Sequence, residues 1–242
     1  MPELSFGFDT LTKYPYPGDA TANTVDGICA QDYTVGSGVV WGTIIAAAGT
    51  YNGDADAAEN MLYIESDSGS GNWRILSRAH FLFDTAALTS GAGISSAVFS
   101  FWGLASQKQD SFSPAIAPTV DIYGSTCASN TDLANSDYAQ TGSTSYTGSP
   151  ITYASFSVSA YNAFTFNATG IGNVSKTSIT KLSGRNANYD VAATPPTWSA
   201  SHSAFLGGYF ADQTGTTNDP KLVVTYTIPE SYITITKNWA LE

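Results

Sequence analysis

The stretch that decides the fold is residues 72–85, which read NWRILSRAHFLFDT. Along it, apolar and polar residues alternate with the period of a β-strand that buries one face. The alternation puts one set of residues on one face (Ile75, Ala79, Phe81, Phe83) and a second set on the other (Arg74, Arg78, His80). We therefore predict a long strand with its aromatic face against a core.

The same period returns in residues 94–102 (ISSAVFSFW) and 218–226 (NDPKLVVTY). Gly, Ser, Asn and Pro separate such segments, as they do at the turns of β-proteins. We predict that the apolar residues of the three segments face inward from opposed sheets and form the core; they are Phe81, Phe83, Phe99, Phe101, Leu222 and Val224.

Further strand-like segments follow at the close spacing of a sandwich or jelly roll. The predicted strands are 27–30, 39–45, 62–65, 73–83, 96–102, 119–124, 151–158, 163–166, 179–182, 205–210 and 222–227. Short helical turns are predicted at 130–134, with Asn130 as cap, and at 167–174. The expected fold class is all-β, a jelly-roll β-sandwich of two antiparallel sheets with a few short helical turns.

The chain divides into three predicted parts. Residues 1–24 are rich in Pro, Gly and Thr and indicate an arm or irregular lead-in, and residues 25–227 hold the sandwich. Residues 228–242 form a tail in which a new alternating segment begins after Pro229. Such a strand can pair at an edge of its own domain or add to a neighbour's sheet, and both interpretations stay open.

Charge limits the partners. Charged residues are only 12% of the chain, and nine Lys and Arg stand against twenty Asp and Glu, a net charge of −11. Nucleic acid and anionic membranes would be repelled, and no basic run offsets this. Apolar runs are far too short to insert in a membrane. The first residues lack a basic and an apolar region, so we expect no signal peptide and a protein that leaves the cytoplasm by assembly or lysis.

Two cysteines, Cys29 and Cys127, are far apart in the sequence. They can form a disulfide in an oxidising compartment or remain as two buried thiols. We favour buried thiols because a chain of this length does not need the cross-link.

Several of these segments resemble DNRLRE-type domains. The resemblance rests on FLFDT (81–85) followed by ISSAVFSF (94–101), on VDIY (120–123) and AFTFNATG (163–170), and on the closing NDPKLVVTY (218–226). It covers roughly residues 25–227 and implies a jelly roll related to carbohydrate-binding modules. Such domains occur in cell-surface and secreted proteins, and similar sequences occur in predicted virion proteins of tailed phages. Leu82 stands where the family has Arg, so the resemblance implies no ion pair there.

The resemblance carries no catalytic motif, and the residues themselves predict no enzyme. The chain has two histidines, His80 and His202. We interpret His80 as structural because it lies within a strand. His202 could meet Asp190 or Asp212, but no Gly-x-Ser-x-Gly elbow accompanies it, and no carboxylate pair indicates a glycosidase.

One loop could hold a metal ion. Residues 52–60 read NGDADAAEN and offer Asp54, Asp56 and Glu59 as oxygen ligands for a structural calcium ion. The spacing does not match an EF-hand, and a solvated acidic loop is the alternative.

Sugar recognition would use aromatic side chains beside amides and carboxylates. Candidates in the loop-rich later part are Trp198, Tyr189, Tyr209 and Asn188. Most aromatic residues must instead fill the core, and we assign Trp73 and Trp102 to it.

The sequence thus predicts a non-enzymatic structural or attachment module. We expect a tailed-phage virion structural or decoration protein, or a component of a similar extracellular assembly, located in the virion or at an extracellular surface. Its partners would be proteins of that assembly, including further copies of itself. The alternative is a carbohydrate-binding module of a cell-surface or secreted protein, with a glycan as ligand.

Overall fold

The computed structural model describes residues 7–18 and 23–228. Within them the fold is all-β and antiparallel, which confirms the predicted all-β class and is compatible with the predicted β-sandwich. The strands are β1 (Phe8–Lys13), β2 (Asp26–Asp32), β3 (Tyr51–Gly53), β4 (Ala58–Ser66), β5 (Trp73–Asp84), β6 (Gly93–Asp110), β7 (Val120–Gly124), β8 (Tyr161–Thr165), β9 (Ile179–Asn186), β10 (Ser203–Tyr209) and β11 (Lys221–Thr227). The helices are α1 (Trp41–Ile45) and α2 (Ala168–Gly172), with single turns at Ala86–Leu88, Asn135–Ala139 and Ala187–Val191.

The strands pair in the order β1-β11-β6-β10-β4-β5-β2-β3, while β8 pairs with β6, and β9 pairs with β5 and β7. Strand β6 belongs to both groups of strands, because its first half pairs with β11 and β8 and its second half pairs with β10. The chain can therefore fold two groups of strands against each other.

The main core lies between these groups. Strands β5 and β6 share no hydrogen-bonded ladder, yet the ring of Phe81 lies 4.7 Å from that of Phe99, and Phe83 lies 5.9 Å from the same ring. Such face-to-face contact is compatible with a sandwich. All six predicted core residues are fully buried, as the alternation predicted.

The other face of β5 is also buried. Helix α1 and several loops cover it, and a second apolar cluster forms beneath this cover around Trp41, Trp73, Leu76 and Leu82. The ring of Trp73 lies 4.9 Å from that of Trp41, edge to face. Trp73 is core, as predicted, whereas Trp102 is only half-buried and packs edge to face on Tyr161 instead.

Two predicted strands are wrong. Residues 41–45 form helix α1, because Trp41 and Ile44, three positions apart, bury the same helical face; only Val39 pairs with a strand, in a single bridge to Trp73. Residues 151–158 pair only at Ile151, in a bridge to Val120. The hydroxyls of Thr152 and Ser155 bond locally there and favour a turn over a ladder.

The helical turns were partly predicted. Helix α2 forms within 167–174, and the Asn167 side chain caps it by accepting from the Gly170 N–H at 2.9 Å. The turn predicted at 130–134 begins later, at Asn135. Asp137 stabilises it by accepting from the Ala134 N–H at 2.9 Å, and Ala134 holds the capping position predicted for Asn130.

The predicted N-terminal arm contains a strand. Phe8–Lys13 pairs antiparallel with β11 over its whole length, although the segment was expected to be irregular. Residues 229–242, which include the predicted tail strand, lie outside the described residues. Among the residues described, no helix has the length and apolar character needed to cross a membrane.

Candidate functional site

A cleft of about 700 Å³ opens where β7, β9, the loop at 142–146 and helix α2 meet. Neutral polar side chains dominate its lining: Ser125, Thr126, Ser143, Thr144, Thr169 and Asn173. Tyr146 is its aromatic residue and Lys181 its charged one. Within the described part of the chain, the hydroxyls of Ser143, Thr144 and Tyr146 make no hydrogen bond to protein. We call this surface the polar cleft; its free hydroxyls can bind a polar, uncharged ligand.

A histidine and a cysteine lie at the floor of the polar cleft. His80 Nδ1 is 3.2 Å from Cys127 Sγ and 3.0 Å from Ser125 Oγ. The Lys181 ammonium donates to the Cys127 carbonyl oxygen at 2.6 Å, which fixes the backbone beside the thiol. Cys127 and Cys29 are both buried and free, so the chain has the two thiols that we favoured.

This pair is electrically neutral. Burial lowers the pKa of His80 to about 4 and raises the pKa of Cys127 to about 11. Nucleophilic cysteines need a depressed pKa, so that the thiolate is populated. At neutral pH the imidazole and thiol therefore act as a packed, uncharged contact, consistent with a structural His80.

A buried ionic network supports one edge of the polar cleft. Asp190 binds two guanidinium groups, that of Arg78 at 2.6 and 2.9 Å and that of Arg185 at 2.8 and 2.9 Å. Arg185 also donates to the carbonyl of Gly142 in the cleft lining at 2.7 Å. Arg78 donates to the carbonyl of Tyr138 at 2.6 Å. The network thus ties the covering loops to the sheet.

The network also bears on Asp190, one of the two carboxylates that His202 was predicted to meet. Asp190 is occupied by the two arginines, and His202 Nδ1 lies 2.6 Å from the Ala200 carbonyl oxygen. The structure therefore does not bring His202 and Asp190 together.

The predicted sugar-binding residues lie outside the polar cleft. Trp198 is half-buried and donates to the Asn72 carbonyl at 3.1 Å, and the Tyr189 hydroxyl donates to a backbone carbonyl at 2.5 Å. Both pack on the second apolar cluster. Asn188 accepts from Thr119 at 2.9 Å, and Tyr209 is half-buried at the end of β10. Their polar groups serve largely as internal ties, and sugar binding by them stays a prediction.

Of the predicted calcium ligands, Asp54 and Asp56 lie in the loop between β3 and β4, and Glu59 lies in β4. Asp54 accepts from the Leu133 N–H at 3.0 Å, and Glu59 accepts from the Asn60 N–H at 2.7 Å, while Asp56 is exposed. Among the residues that the structure describes, no three His, Cys, Asp or Glu side chains form a group that could hold a metal ion. A structural calcium ion stays a prediction.

Sequence reasoning did not find the polar cleft. Its lining comes from four separate segments of mostly small polar residues, whose composition is that of ordinary turns. The available signal was the pair Arg78 and His80 on a strand, since such residues are buried only when partners are supplied from elsewhere.

Comparisons with protein-family models and with curated proteins identify no relative of this chain. No protein-family model matches the chain, and no curated protein matches it significantly. The resemblance to DNRLRE-type domains therefore stays a prediction.

Proposed function

We propose that this protein is a non-enzymatic structural and attachment module, a tailed-phage virion structural or decoration protein or a component of a similar extracellular assembly. It would act through contacts with protein partners, including further copies of itself. The observation that carries the proposal is the polar cleft, whose open and mostly neutral lining is held in place by the buried Arg78–Asp190–Arg185 network. A rigid polar surface suits recognition.

The electrostatics of the cleft floor support a binding role over catalysis. A cysteine with a raised pKa beside a histidine with a lowered pKa holds neither a thiolate nor an imidazolium at neutral pH. A covalent mechanism would need one proton to move from Cys127 to His80 against both shifts. Reversible binding needs no such transfer.

Mass spectrometry of purified particles tests the assembly role. We expect the chain in the particle fraction at a fixed ratio to the major structural protein, and native mass spectrometry of the isolated chain should show defined oligomers. Absence from every particle fraction would contradict the proposal.

The second candidate function is glycan binding, and the lining of the polar cleft favours it. Free hydroxyls and an amide can pair with sugar hydroxyls, and Tyr146 offers a ring face beside them. A glycan array should then show binding that Tyr146→Ala weakens about tenfold, the ratio given by 1.4 kcal/mol. Tyr153→Ala is the matched control because Tyr153 is also half-buried but lies outside the cleft. Trp198→Ala tests the site predicted from the sequence. If the parent protein binds no glycan on the array, glycan binding is excluded as a function.

A further inference from the structure

A smaller pocket of about 210 Å³ lies on the opposite face of the sheet from the polar cleft, between β2, β4 and β5. The side chains of Tyr51, Tyr63, Ile28 and Ile75 contribute its apolar and aromatic surface. Tyr63 is held rigidly, because its ring stacks on Phe205 at 5.4 Å with an interplanar angle of 6°. We call this site the tyrosine pocket.

Two residues that line the tyrosine pocket, Asn60 and Ser77, each carry a buried acceptor atom without a partner. Asn60 Oδ1 and Ser77 Oγ are inaccessible to solvent and make no hydrogen bond in the structure, and Ser77 as a whole is only 1% exposed. The Asn60 amide nitrogen donates to Glu59 at 3.0 Å, so its oxygen is left free as an acceptor. Buried polar groups are nearly always paired, so these two atoms indicate a bound group that donates hydrogen bonds.

The charge around the tyrosine pocket is negative. Asp32 and Glu59 are among its lining residues, which include no basic side chain. Arg74 lies beside it but is engaged by Glu65 at 2.6 Å and by Asp32 at 3.2 Å. Burial first, and then the charge of Asp56, raise the pKa of both Tyr51 and Glu59. A further negative charge is disfavoured here, and a positive one would be stabilised.

We propose that the tyrosine pocket binds an alkylammonium group, either a free amine or a lysine side chain of a partner protein. The alkyl part would lie against Ile28 and Ile75, and the ammonium would lie over a tyrosine ring, as cations do in aromatic sites. After a small rotation of the Asn60 and Ser77 side chains brings Oδ1 and Oγ to the pocket surface, its N–H groups would donate to them, and Glu59 would neutralise its charge. This site is independent of the polar cleft and of the function proposed for it.

Charge distinguishes this ligand from a sugar, whose hydroxyls also donate hydrogen bonds. The test is an amide NMR titration of the whole chain at neutral pH with n-butylammonium and with butan-1-ol, its neutral isostere. We expect n-butylammonium to shift the amides of Asn60 and Ser77 at millimolar concentration and butan-1-ol to bind about tenfold more weakly or less. Added salt should weaken the binding of n-butylammonium and leave the binding of butan-1-ol unchanged.

Two variants locate the binding. Glu59→Gln keeps the hydrogen bonds to Asn60 but removes the charge, and it should lower the affinity for n-butylammonium about tenfold. Asp84→Asn is the matched control because it removes a carboxylate at the far end of β5, roughly 23 Å from Ser77. Asp84→Asn should bind like the parent. Thermal melts of both variants establish that they are folded, and Ser77→Ala, with an expected loss of a few-fold, gives a second probe of the pocket.

Further probes separate the two sources of the ammonium group. N-acetyl-lysine methylamide should bind if a partner's lysine is the natural ligand, and acetylation of its side-chain amine should abolish this binding. Binding of n-butylammonium without the lysine derivative would assign the pocket to small amines. Equal binding of butan-1-ol, tighter binding of glucose or N-acetylglucosamine, equal losses in Glu59→Gln and Asp84→Asn, or no saturable shift with either cation would each overturn the proposal.

Discussion

Replacing Asp190 by asparagine keeps the shape of the side chain but removes the charge between two buried guanidinium groups. Asp190 is 2% exposed, and each of its oxygens accepts one bond from Arg78 and one from Arg185. An asparagine has a single acceptor oxygen, and its amide group would point two donors at the arginines. The variant therefore leaves two cations buried without a counter-charge.

The expected loss of stability is large. Breaking a buried ion pair by removing one partner costs about 3–5 kcal/mol, because an uncompensated charge remains. In a domain of this size, 1 kcal/mol shifts the melting temperature by roughly 2–4 °C. Asp190→Asn should thus lower it by roughly 6–20 °C. Glu65→Gln is the matched control: Glu65 and Arg74 form a partly exposed pair, which should contribute only about 0.2–1 kcal/mol.

Urea unfolding followed by circular dichroism measures both variants, and pH adds a second test. Burial tends to raise the pKa of Asp190, but the charges and hydrogen bonds of Arg78 and Arg185 outweigh it and hold the pKa below its usual value. A lowered pKa in the folded state gives stability above the unfolded value, about 3.9, that is lost as pH falls through the folded value. The difference in the free energy of unfolding between the parent and Asp190→Asn should therefore become smaller in acid. A loss at neutral pH no larger than that of Glu65→Gln would refute this reasoning.

Three further perturbations test other parts of the structure. Burial raises the pKa of Asp26 well above its usual value, so its ionisation costs the parent stability as pH rises from the unfolded value, about 3.9, through the folded one; relative to the parent, Asp26→Asn should therefore be more stable at neutral pH than in acid, measured by urea unfolding. Gly208→Ala should destabilise by about 1–3 kcal/mol in the same assay, because a Cβ there would collide with the Trp102 carbonyl oxygen. Cys127 lines the polar cleft and Cys29 does not, so iodoacetamide should label Cys127 first. The labelling rate should rise as the pH approaches the Cys127 pKa of about 11. Equal labelling of the two cysteines in mass spectra would contradict this placement.

The parts of the fold that could be predicted are those in which neighbouring residues carry the signal. The alternation in 72–85 identified β5 and its aromatic face, and Phe81 and Phe83 are fully buried there. The apolar run in 39–45 also predicted a strand, yet α1 forms, because a short apolar run fits either period and tertiary packing of Trp41 and Ile44 decides. Local pattern cannot settle such a choice.

The candidate site depends on pairings that local pattern does not encode. Arg78 and Asp190 are 112 positions apart, and nothing near either residue indicates the other. Trp198 looks exposed because its neighbours are loop residues, but its loop lies against the sheet and half-buries the ring. Sequence reasoning found the polar residues of β5 and could not assign their partners.

Strand β5 offers a way to separate the two binding sites. Ser77 and Arg78 are consecutive, so their side chains point to opposite faces of the sheet, one to the tyrosine pocket and the other to the network that supports the polar cleft. At a temperature where Asp190→Asn is still folded, Arg78 and Arg185 have lost the carboxylate that holds them in position for the covering loops, while the tyrosine pocket keeps all its lining residues. We expect this variant to lose glycan binding in the cleft and to bind n-butylammonium like the parent, as measured by array and by NMR titration. If both ligands were lost together in a folded variant, the two faces would be coupled through the sheet, and the independence of the two sites would be wrong.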